Sequence, residues 1–223
     1  MTASMSIYAH SKGSNIVDWQ TLEDHSQKVA KLAARFAEPF HSQEHAALLG
    51  LCHDLGKARA SFQSYLKRCN GVEDTETDYG EHSHSGAGAC WLNEHEGLLE
   101  KVLAYCVAGH HAGLPDWSGG QMPNGALKIR LNEEQATLAE PLVQEWLVKN
   151  RMTWPTEKLP CPFRFSRTDS SLSFWLRMMY STLVDADFLD TEAFMEPQQT
   201  VLRSRGQQLD GLAKVFFEYL NER

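Results

Sequence analysis

Several histidine and aspartate residues lie on the apolar faces of predicted helices or at their ends. Both side chains bind metals. The clearest pair is His53-Asp54, which follows the apolar run from Ala46 to Cys52. A helix from Gln43 to Asp54 would direct the pair inward. Because an unpaired buried carboxylate costs several kcal/mol, a divalent metal is a suitable partner. For this pair alone, a buried His–Asp hydrogen bond at a helix end is the simpler alternative.

The residues after this pair suit a binding site for an anion. Gly56 lets the chain turn sharply, and Lys57 adds a cation within reach of a bound anion. Upstream, Thr21-x-x-Asp24 resembles a capping box, with Asp in place of Glu, and predicts that a helix begins near Thr21. On that helix His25 occupies the first-turn position of the apolar face. A core histidine with a local hydrogen-bond partner is the simpler alternative for His25.

Three more histidines belong to the next two helical patterns. His84 begins the first pattern, in which His82 and His95 are predicted bystanders. The second helix is the most apolar and ends in the adjacent His110 and His111. Adjacent helical residues point about 100° apart, so both side chains converge only if the helix ends or distorts there, as the flanking glycines permit. The alternative is a polar helix terminus at which the helix dipole favours histidine, without a metal.

A C-terminal aspartate completes the set. A helix from about Ser171 to Asp190 carries a buried stripe that reaches Leu183. Asp187 lies four residues after Leu183 and continues this stripe. Asp185 lies two residues after Leu183, about 200° away, and faces the flank or solvent. Helical phase therefore predicts that Asp187, and not Asp185, is the inward-facing carboxylate.

Length and composition exclude several classes of protein. The 223 residues are 42% hydrophobic, which predicts one domain spanning residues 1–223. A net charge of −8 argues against nonspecific coating of nucleic acid but permits an active-site cleft for it. No apolar run approaches bilayer length, so no membrane segment is expected. The five cysteines lack C-x-x-C spacing, which predicts reduced, buried thiols in a cytoplasmic protein.

The remaining patterns are helical or irregular, and strand signals are nearly absent. The predicted fold is therefore all-α, a compact helical bundle with a dinuclear metal site at its centre. The loop from Leu114 to about Ala126 leaves directly from the histidine pair, and a mobile flap over the site is one interpretation. In it Trp117, with Lys128 and Arg130, could offer a stacking surface and charge to a polynucleotide. An ordinary surface loop with a buried tryptophan is the alternative.

The other predicted segments are a helix from Ala58 to Arg68 with Phe62, Tyr65 and Leu66 inward, an acidic loop from Asn70 to Glu81, a helix from Leu131 to Lys149, an irregular connection from Arg151 to Ser171, and a closing helix from Gln198 to Asn221.

Together, the seven inward-facing histidine and aspartate residues are more ligands than one metal needs. Five imidazoles and two carboxylates suit two ions bridged by Asp54. Mixed imidazole and carboxylate ligation favours Fe, Mn, Ni, Co or Zn over Ca, and Mg is possible. A pair of ions ~3.5–4 Å apart can activate water and stabilise the leaving oxygen of a phosphoester. The predicted reaction is phosphoester hydrolysis. The seven residues are His25, His53, Asp54, His84, His110, His111 and Asp187.

The order H…HD-x-G-K…H…HH…D is similar to the HD superfamily of metal-dependent phosphohydrolases. In detail the chain resembles the HD nuclease domain of the CRISPR-associated type I helicase-nuclease. This resemblance implies a two-metal endonuclease that also degrades single-stranded DNA in CRISPR type I interference. It implies a superfamily 2 helicase and an RNA-guided surveillance complex as partners. The motifs that carry the resemblance are His53-Asp54-Leu55-Gly56-Lys57, His84-Ser85-Gly86-Ala87-Gly88-Ala89, Gly109-His110-His111-Ala112-Gly113-Leu114-Pro115 and Leu183-Val184-Asp185-Ala186-Asp187.

The resemblance also implies roles for single residues. Asp54 would bridge both ions, and Lys57 would contact the scissile phosphate or the attacking water. No Walker A motif is present, so a stand-alone subunit or the N-terminal part of a longer helicase-nuclease is expected. The implied ligands are His25, His53, Asp54 and the C-terminal Asp for one ion, and Asp54, His84, His110 and His111 for the other.

Two other functions remain compatible with the sequence. Another HD enzyme, a nucleotide or cyclic-nucleotide phosphohydrolase, would share every ligand but need a closed pocket with contacts to the base. A scaffold module with a vestigial HD site would have lost ligand positions, and none is visibly lost here.

Overall fold

The computed structural model describes residues 6–73, 83–95, 97–119, 125–152, 170–204 and 209–221. In these ranges the fold is all-α, as predicted, with one short antiparallel ribbon that pairs Tyr8 with Thr21 and His10 with Gln20. Short 3-10 helices connect several elements. The elements are β1 Tyr8–His10, β2 Gln20–Thr21, α1 Leu22–Ala37, α2 Gln43–Cys52, α3 Ala60–Cys69, α4 Ser85–Asn93, α5 Leu98–Gly109, α6 Leu127–Glu134, α7 Pro141–Lys149, α8 Ser171–Met195, α9 Pro197–Ser204 and α10 Leu209–Asn221.

The first helix begins where the sequence predicts. The Thr21 side chain accepts a hydrogen bond from the backbone N–H of Asp24, 3.2 Å away, and so satisfies one free donor of the helix end. Val29 and His25 are fully buried on its inner face. Helix α2 crosses α1 closely at Gly50, where a Cβ would lie 2.5 Å from the backbone of Ala30. Only glycine permits this approach, which brings the ends of both helices to one site.

The end of α2 differs from the prediction. The α-helix stops at Cys52, His53 caps it in helical conformation, and a 3-10 helix Leu55–Ala58 follows. Gly56 has no positive φ, so it is not needed for a sharp turn. It is needed because a Cβ there would lie 2.3 Å from the carbonyl oxygen of His84. The backbone N–H of Gly56 donates to that carbonyl over 3.2 Å and ties the two histidine segments together.

The hydrophobic core lies mainly between α1, α2, α4, α5 and α8, the helices whose ends meet at the site. Each fully buried aliphatic side chain contributes about 1.5–3 kcal/mol to folding. Fully or almost fully buried core residues include Leu22, Val29, Leu49, Cys52, Leu92, Leu103, Val107, Met179 and Leu183.

Two sequence predictions about helices outside this core are wrong. Residues 131–149 do not form one helix, because a 3-10 segment, Gln135–Ala139, separates α6 from α7, which begins at Pro141. Tyr65 is 37% exposed instead of packed inward. Of the predicted closing helix, α9 and α10 lie on either side of residues 205–208, which fall outside the described residues, and the apolar side chains of α10, such as Phe216, are exposed.

Other predictions fall partly or wholly outside the described residues. These are the acidic loop beyond residue 73, the bystander His82, residues 120–124 of the predicted flap, the irregular connection at residues 153–169 and Cys161. Among the described cysteines, Cys52, Cys90 and Cys106 are buried free thiols, as predicted, whereas the free thiol Cys69 is exposed, so the prediction that it is buried is wrong. Burial raises the pKa of each of the three buried thiols.

Candidate metal centre

The deepest part of the site is a group that we call the carboxylate cluster, formed by His25, His53, Asp54 and Asp187. Nε2 of His25 lies 3.2 Å from Oδ2 of Asp54 and 3.3 Å from Oδ1 of Asp187. Nε2 of His53 lies 3.3 and 3.6 Å from the same two oxygens. The four ligand atoms lie within 4.8 Å of one another, a spacing that would suit one ion.

Helix α8 supplies the C-terminal carboxylate, that of Asp187, from the helix face that the sequence predicts. The Asp187 side chain is 17% exposed and faces the two histidines. Asp185 is exposed on the other side of the helix. The structure therefore brings Asp187 to the cluster and leaves Asp185 outside it, while ligation by Asp187 stays a prediction.

A second group, the histidine cluster, lies on the other side of Asp54. It comprises Asp54, His84, His110 and His111, whose ligand atoms also lie within 4.8 Å of one another. Oδ1 of Asp54 is 3.5 Å from Nε2 of both His84 and His110. Nε2 of His84 lies 2.7 Å from Nε2 of His111. Asp54 thus directs one oxygen toward each cluster, as a bridging carboxylate would.

The three buried histidines are oriented by acceptors on their Nδ1 side. His25 donates to Oδ2 of Asp190 over 2.7 Å, because a carboxylate can only accept. His53 donates to the carbonyl of Gly50 over 2.9 Å, and His110 to that of Val107 over 2.6 Å. This arrangement fixes the tautomer and directs each Nε2 inward, as in ligating histidines.

The inward-facing atoms fit a bound cation. Nε2 of His25, His53 and His110 and Oδ1 of Asp54 are buried, and none has a well-aligned hydrogen-bond partner among the described residues. Buried polar atoms without partners are rare because each costs about 1–3 kcal/mol. Imidazole nitrogens and carboxylate oxygens are the donor set of Fe, Mn, Ni, Co and Zn. The convergence of these atoms therefore matches divalent metal binding.

Asp190 was missed by sequence reasoning and lies behind the carboxylate cluster. Its Oδ2 accepts from His25 and also from Nε2 of Gln20, each over 2.7 Å. Asp190 lies three residues after Asp187, on the same face of α8. Helical spacing therefore offered a signal, since two carboxylates at i and i+3 reach the same neighbour.

Helix ends position the histidine cluster. His84 precedes the first residue of α4, and His110 and His111 follow the last residue of α5. The Arg130 guanidinium spans these two ends: it donates to the carbonyl of Ala108 and to Oγ of Ser85, each over 2.8 Å. Arg130 therefore holds together the two segments that carry the three histidines.

Electrostatics differ sharply between the clusters. Burial lowers the pKa of His25, but contacts with Asp187, Asp190 and Asp54 outweigh it and raise the pKa to about 10. Burial likewise opposes the effect of the carboxylates on His53, whose pKa they raise to about 9. The neighbouring cations lower the pKa of Asp54 well below its usual range despite burial, and His25 and His53 do the same for Asp187.

In the histidine cluster the shifts have the opposite sign. Burial lowers the pKa of His84 to about 4, aided by Lys57 and the other two imidazoles and opposed by Asp54. Burial and the neighbouring His110 lower the pKa of His111 to about 4. At neutral pH both rings are therefore uncharged, the form in which imidazole binds metal.

Lys57 lies beside the shared carboxylate. Its Nζ is 2.7 Å from Oδ2 of Asp54 and 3.2 Å from Nε2 of His10, and the residue is 5% exposed. His10, in β1, is a second residue that sequence reasoning missed, and its ring packs edge-on 4.6 Å from that of His25. Burial and Lys57 lower the pKa of His10 to about 4. No helical periodicity marks a histidine in a three-residue strand, so no sequence pattern pointed to it.

Two clefts reach the histidine cluster. One, of about 570 Å³, contains Arg59 and Arg130 together with Glu133 and Glu134. The other has the same volume and is lined mainly by apolar and aromatic side chains, with Lys57 and His10 at its base. His84 and His111 line both clefts. The lining residues of the second cleft include Phe62, Tyr65, Leu66 and Met195.

A helical bundle that gathers imidazoles and carboxylates around an adjacent His-Asp pair defines the class of HD-type metal-dependent hydrolases. Within this class, the family model described as Cas3, HD domain matches residues 2–177, and the chain belongs to that family. It is therefore an HD-type, metal-dependent nuclease domain of the CRISPR context, acting on nucleic acid.

A search of curated proteins finds no match. The matched residues end within α8, before Asp187 and Asp190. In the described part of the chain, every helix is too short or too polar to cross a bilayer.

Proposed function

We propose that this chain cuts single-stranded DNA by two-metal phosphodiester hydrolysis in CRISPR type I interference. The observation that carries the proposal is that His84 and His111 line both clefts. A polymer lying in both clefts would place a phosphodiester over the metal centre. A nucleotide phosphohydrolase would instead need a closed pocket around a base.

Single-stranded substrate follows from the lining of these clefts. Tyr65, which is 37% exposed, offers aromatic surface on one side, and Arg59 and Arg130 offer guanidinium groups on the other. Unpaired bases stack on aromatic rings, whereas bases within a duplex are already stacked on each other. The sequence also carries no Walker A motif for unwinding. A helicase and an RNA-guided surveillance complex are therefore the proposed partners that would deliver single strands.

In the proposed mechanism the protein supplies orientation and charge. Two divalent ions held by the clusters would supply an activated water and stabilise negative charge on the leaving oxygen. Asp54 would hold both ions and fix their separation. Lys57, already 2.7 Å from Asp54, would place its ammonium beside the scissile phosphate at the base of the aromatic cleft. Asp190 would keep Nε2 of His25 free for a metal.

The test is incubation with circular single-stranded DNA and Mn, Ni, Co, Fe, Mg or Zn in turn. We expect linear products and then short fragments, which shows internal cutting because a circle has no ends. Intact blunt duplex of the same sequence is the control and should be cut poorly. Equal cutting of both substrates would contradict the proposal. Turnover of dNTPs without cutting of circles would favour the nucleotide phosphohydrolase, and absence of bound metal would favour the scaffold.

A further inference from the structure

A third cleft lies away from the metal centre, on the other side of α6. It has a volume of about 740 Å³ and combines an exposed tryptophan with two lysines. Trp117 is 42% exposed, and Lys101 and Lys128 are both exposed. The complete lining is Asn93, Gly97, Leu98, Lys101, Trp117, Lys128, Leu131 and Asn132.

The charge of this cleft contrasts with that of the whole chain. The chain has a net charge of −8, whereas the described residues that line the cleft include two lysines and no carboxylate, and the Glu100 carboxylate lies against Gly97 at its edge. Asp116 precedes Trp117 and acts on Tyr105 at the edge of this region, so it offsets part of this charge. In the arginine-lined cleft, by contrast, Glu133 and Glu134 balance the two arginines. Lys101 and Lys128 nevertheless line the third cleft directly, so phosphates can reach both of them.

The exposed tryptophan is held in place by neighbouring elements. The backbone N–H of Lys128 donates to the carbonyl of Trp117 over 3.3 Å, and that of Leu127 donates to the carbonyl of Asp116 over 2.9 Å. The rings of Tyr105 and Trp117 lie 6.3 Å apart. Lys101 lies one helical turn before Tyr105 on α5, so its side chain shares that face. Single-strand binding proteins combine aromatic side chains with cationic groups in one groove, and this cleft has both.

The third cleft is within reach of the metal centre. Trp117 follows His111 by six residues, so their Cα atoms lie within ~20 Å even if that segment were fully extended. Helix α6 carries Lys128 toward this cleft and Arg130 toward the arginine-lined one. The two clefts therefore lie on either side of one short helix.

We propose that this cleft is a second contact for single-stranded nucleic acid, where a base stacks on Trp117 and phosphates pair with Lys101 and Lys128. The inference rests on the proposed function, since the same strand would continue to the metal centre. Asn93 and Asn132 supply polar groups at its rim. The contact lengthens the bound strand beyond the nucleotides at the metals and raises affinity for long strands.

Binding is tested by fluorescence anisotropy of labelled oligothymidylate in excess chelator, which prevents cutting. In the Lys101→Gln/Lys128→Gln variant, the slope of log affinity against log salt concentration should fall by about 1.4, the value for two lost phosphate contacts on a single strand. Trp117→Ala should weaken binding on the order of 10-fold, as for one lost stacking contact. The matched control is Lys31→Gln/Lys214→Gln, which removes two exposed lysines elsewhere.

Hydrolysis of bis(p-nitrophenyl) phosphate, which needs only the metal centre, separates the two proposals. We expect unchanged hydrolysis in all three variants, with a raised KM for long DNA only in the two cleft variants. Wild-type salt dependence and affinity in those variants, or an equal loss in the control, would overturn the inference. Binding is measured without metal, so its outcome does not depend on cutting. Failure of the wild-type protein to cut DNA would instead overturn the proposed function.

Discussion

The carboxylate cluster and the histidine cluster share Asp54, yet the chain builds them in different ways. His25 and Asp187 lie within long helices and project from their buried faces. His84, His110 and His111 lie just outside helix ends. The first cluster is almost fully buried, whereas His111 is exposed and His84 partly so.

The difference shows how one carboxylate can serve two unlike environments. In the carboxylate cluster, Asp54 and Asp187 raise the pKa of His25 and His53 against the effect of burial, and Asp190 also raises that of His25. In the histidine cluster burial and neighbouring cations lower the pKa of His84 and His111. A metal in the buried cluster would have to displace protons from His25 and His53, whereas one in the open cluster would displace none from His84 and His111 and would face the clefts.

Removal of the shared carboxylate should have the largest effect. Asp54→Ala takes an oxygen ligand from both clusters and leaves Lys57 without its partner, so we expect both ions and all cleavage to be lost. The loss should exceed the roughly 10–100-fold change that outer partners of a metal site cause. Metal content by mass spectrometry and cleavage of circular single strands measure it. Wild-type cleavage by this variant would end the bridged two-metal interpretation.

Asp187→Asn should affect the carboxylate cluster alone. The amide keeps the shape of the side chain but is a poor metal ligand, so bound metal should fall from about two ions per chain to about one. Asp185→Asn is the matched control, because that residue is on the same helix and exposed. If Asp185→Asn loses metal and Asp187→Asn does not, the helical phase inferred for α8 is wrong.

Arg130→Ala should loosen the histidine cluster. Without the guanidinium, the ends of α4 and α5 lose their shared hydrogen bonds, and affinity for the second ion should drop about 10-fold. Affinity at the carboxylate cluster should stay within about 2-fold. Calorimetric titration of Mn into metal-free protein resolves the two sites. Arg35→Ala, an exposed change on α1, is the control, and an equal loss at both sites would contradict a local role for Arg130.

Proton release on metal binding should differ between the two clusters. This effect is the smallest of the four but compares the clusters most directly. In metal-free protein at neutral pH, His25 and His53 carry protons because their pKa values are raised to about 10 and about 9. A metal must displace these protons, so affinity at the carboxylate cluster should rise as pH increases toward about 9.

For His84 and His111, both pKa values are lowered to about 4, so at neutral pH there is no proton to displace. Above about pH 5, His84 and His111 should therefore add no pH dependence to affinity at the histidine cluster. Titrations in buffers of different ionisation enthalpy count the protons released at each site. Equal proton release at both sites would refute the electrostatic difference between the clusters.

Much of the carboxylate cluster was predictable because helical periodicity reports direction. The spacing of Val29 after His25, and of Asp187 after Leu183, indicates which face each residue occupies. Asp190 could have been found by the same rule. The all-α fold followed from the same periodicity and the near absence of strand signals.

The histidine cluster was less predictable in its geometry. Directions at helix ends depend on where each helix stops, and α2 stops two residues before the predicted end. The close approach of Gly56 to the carbonyl of His84 is a long-range contact without a local pattern. The break before Pro141 and the exposure of α10 likewise depend on which surfaces meet in the fold, and periodicity does not contain that information.

The hydrogen bond between His25 and Asp190 joins residues that are 165 positions apart in the sequence. It connects the first helix to α8, whose carboxylates lie beyond the residues that the family model matches. A fragment trimmed at residue 177 would therefore retain every histidine of the site but neither Asp187 nor Asp190. Domain boundaries drawn from the family match alone would divide the metal centre, so expression fragments of this protein must include all of α8.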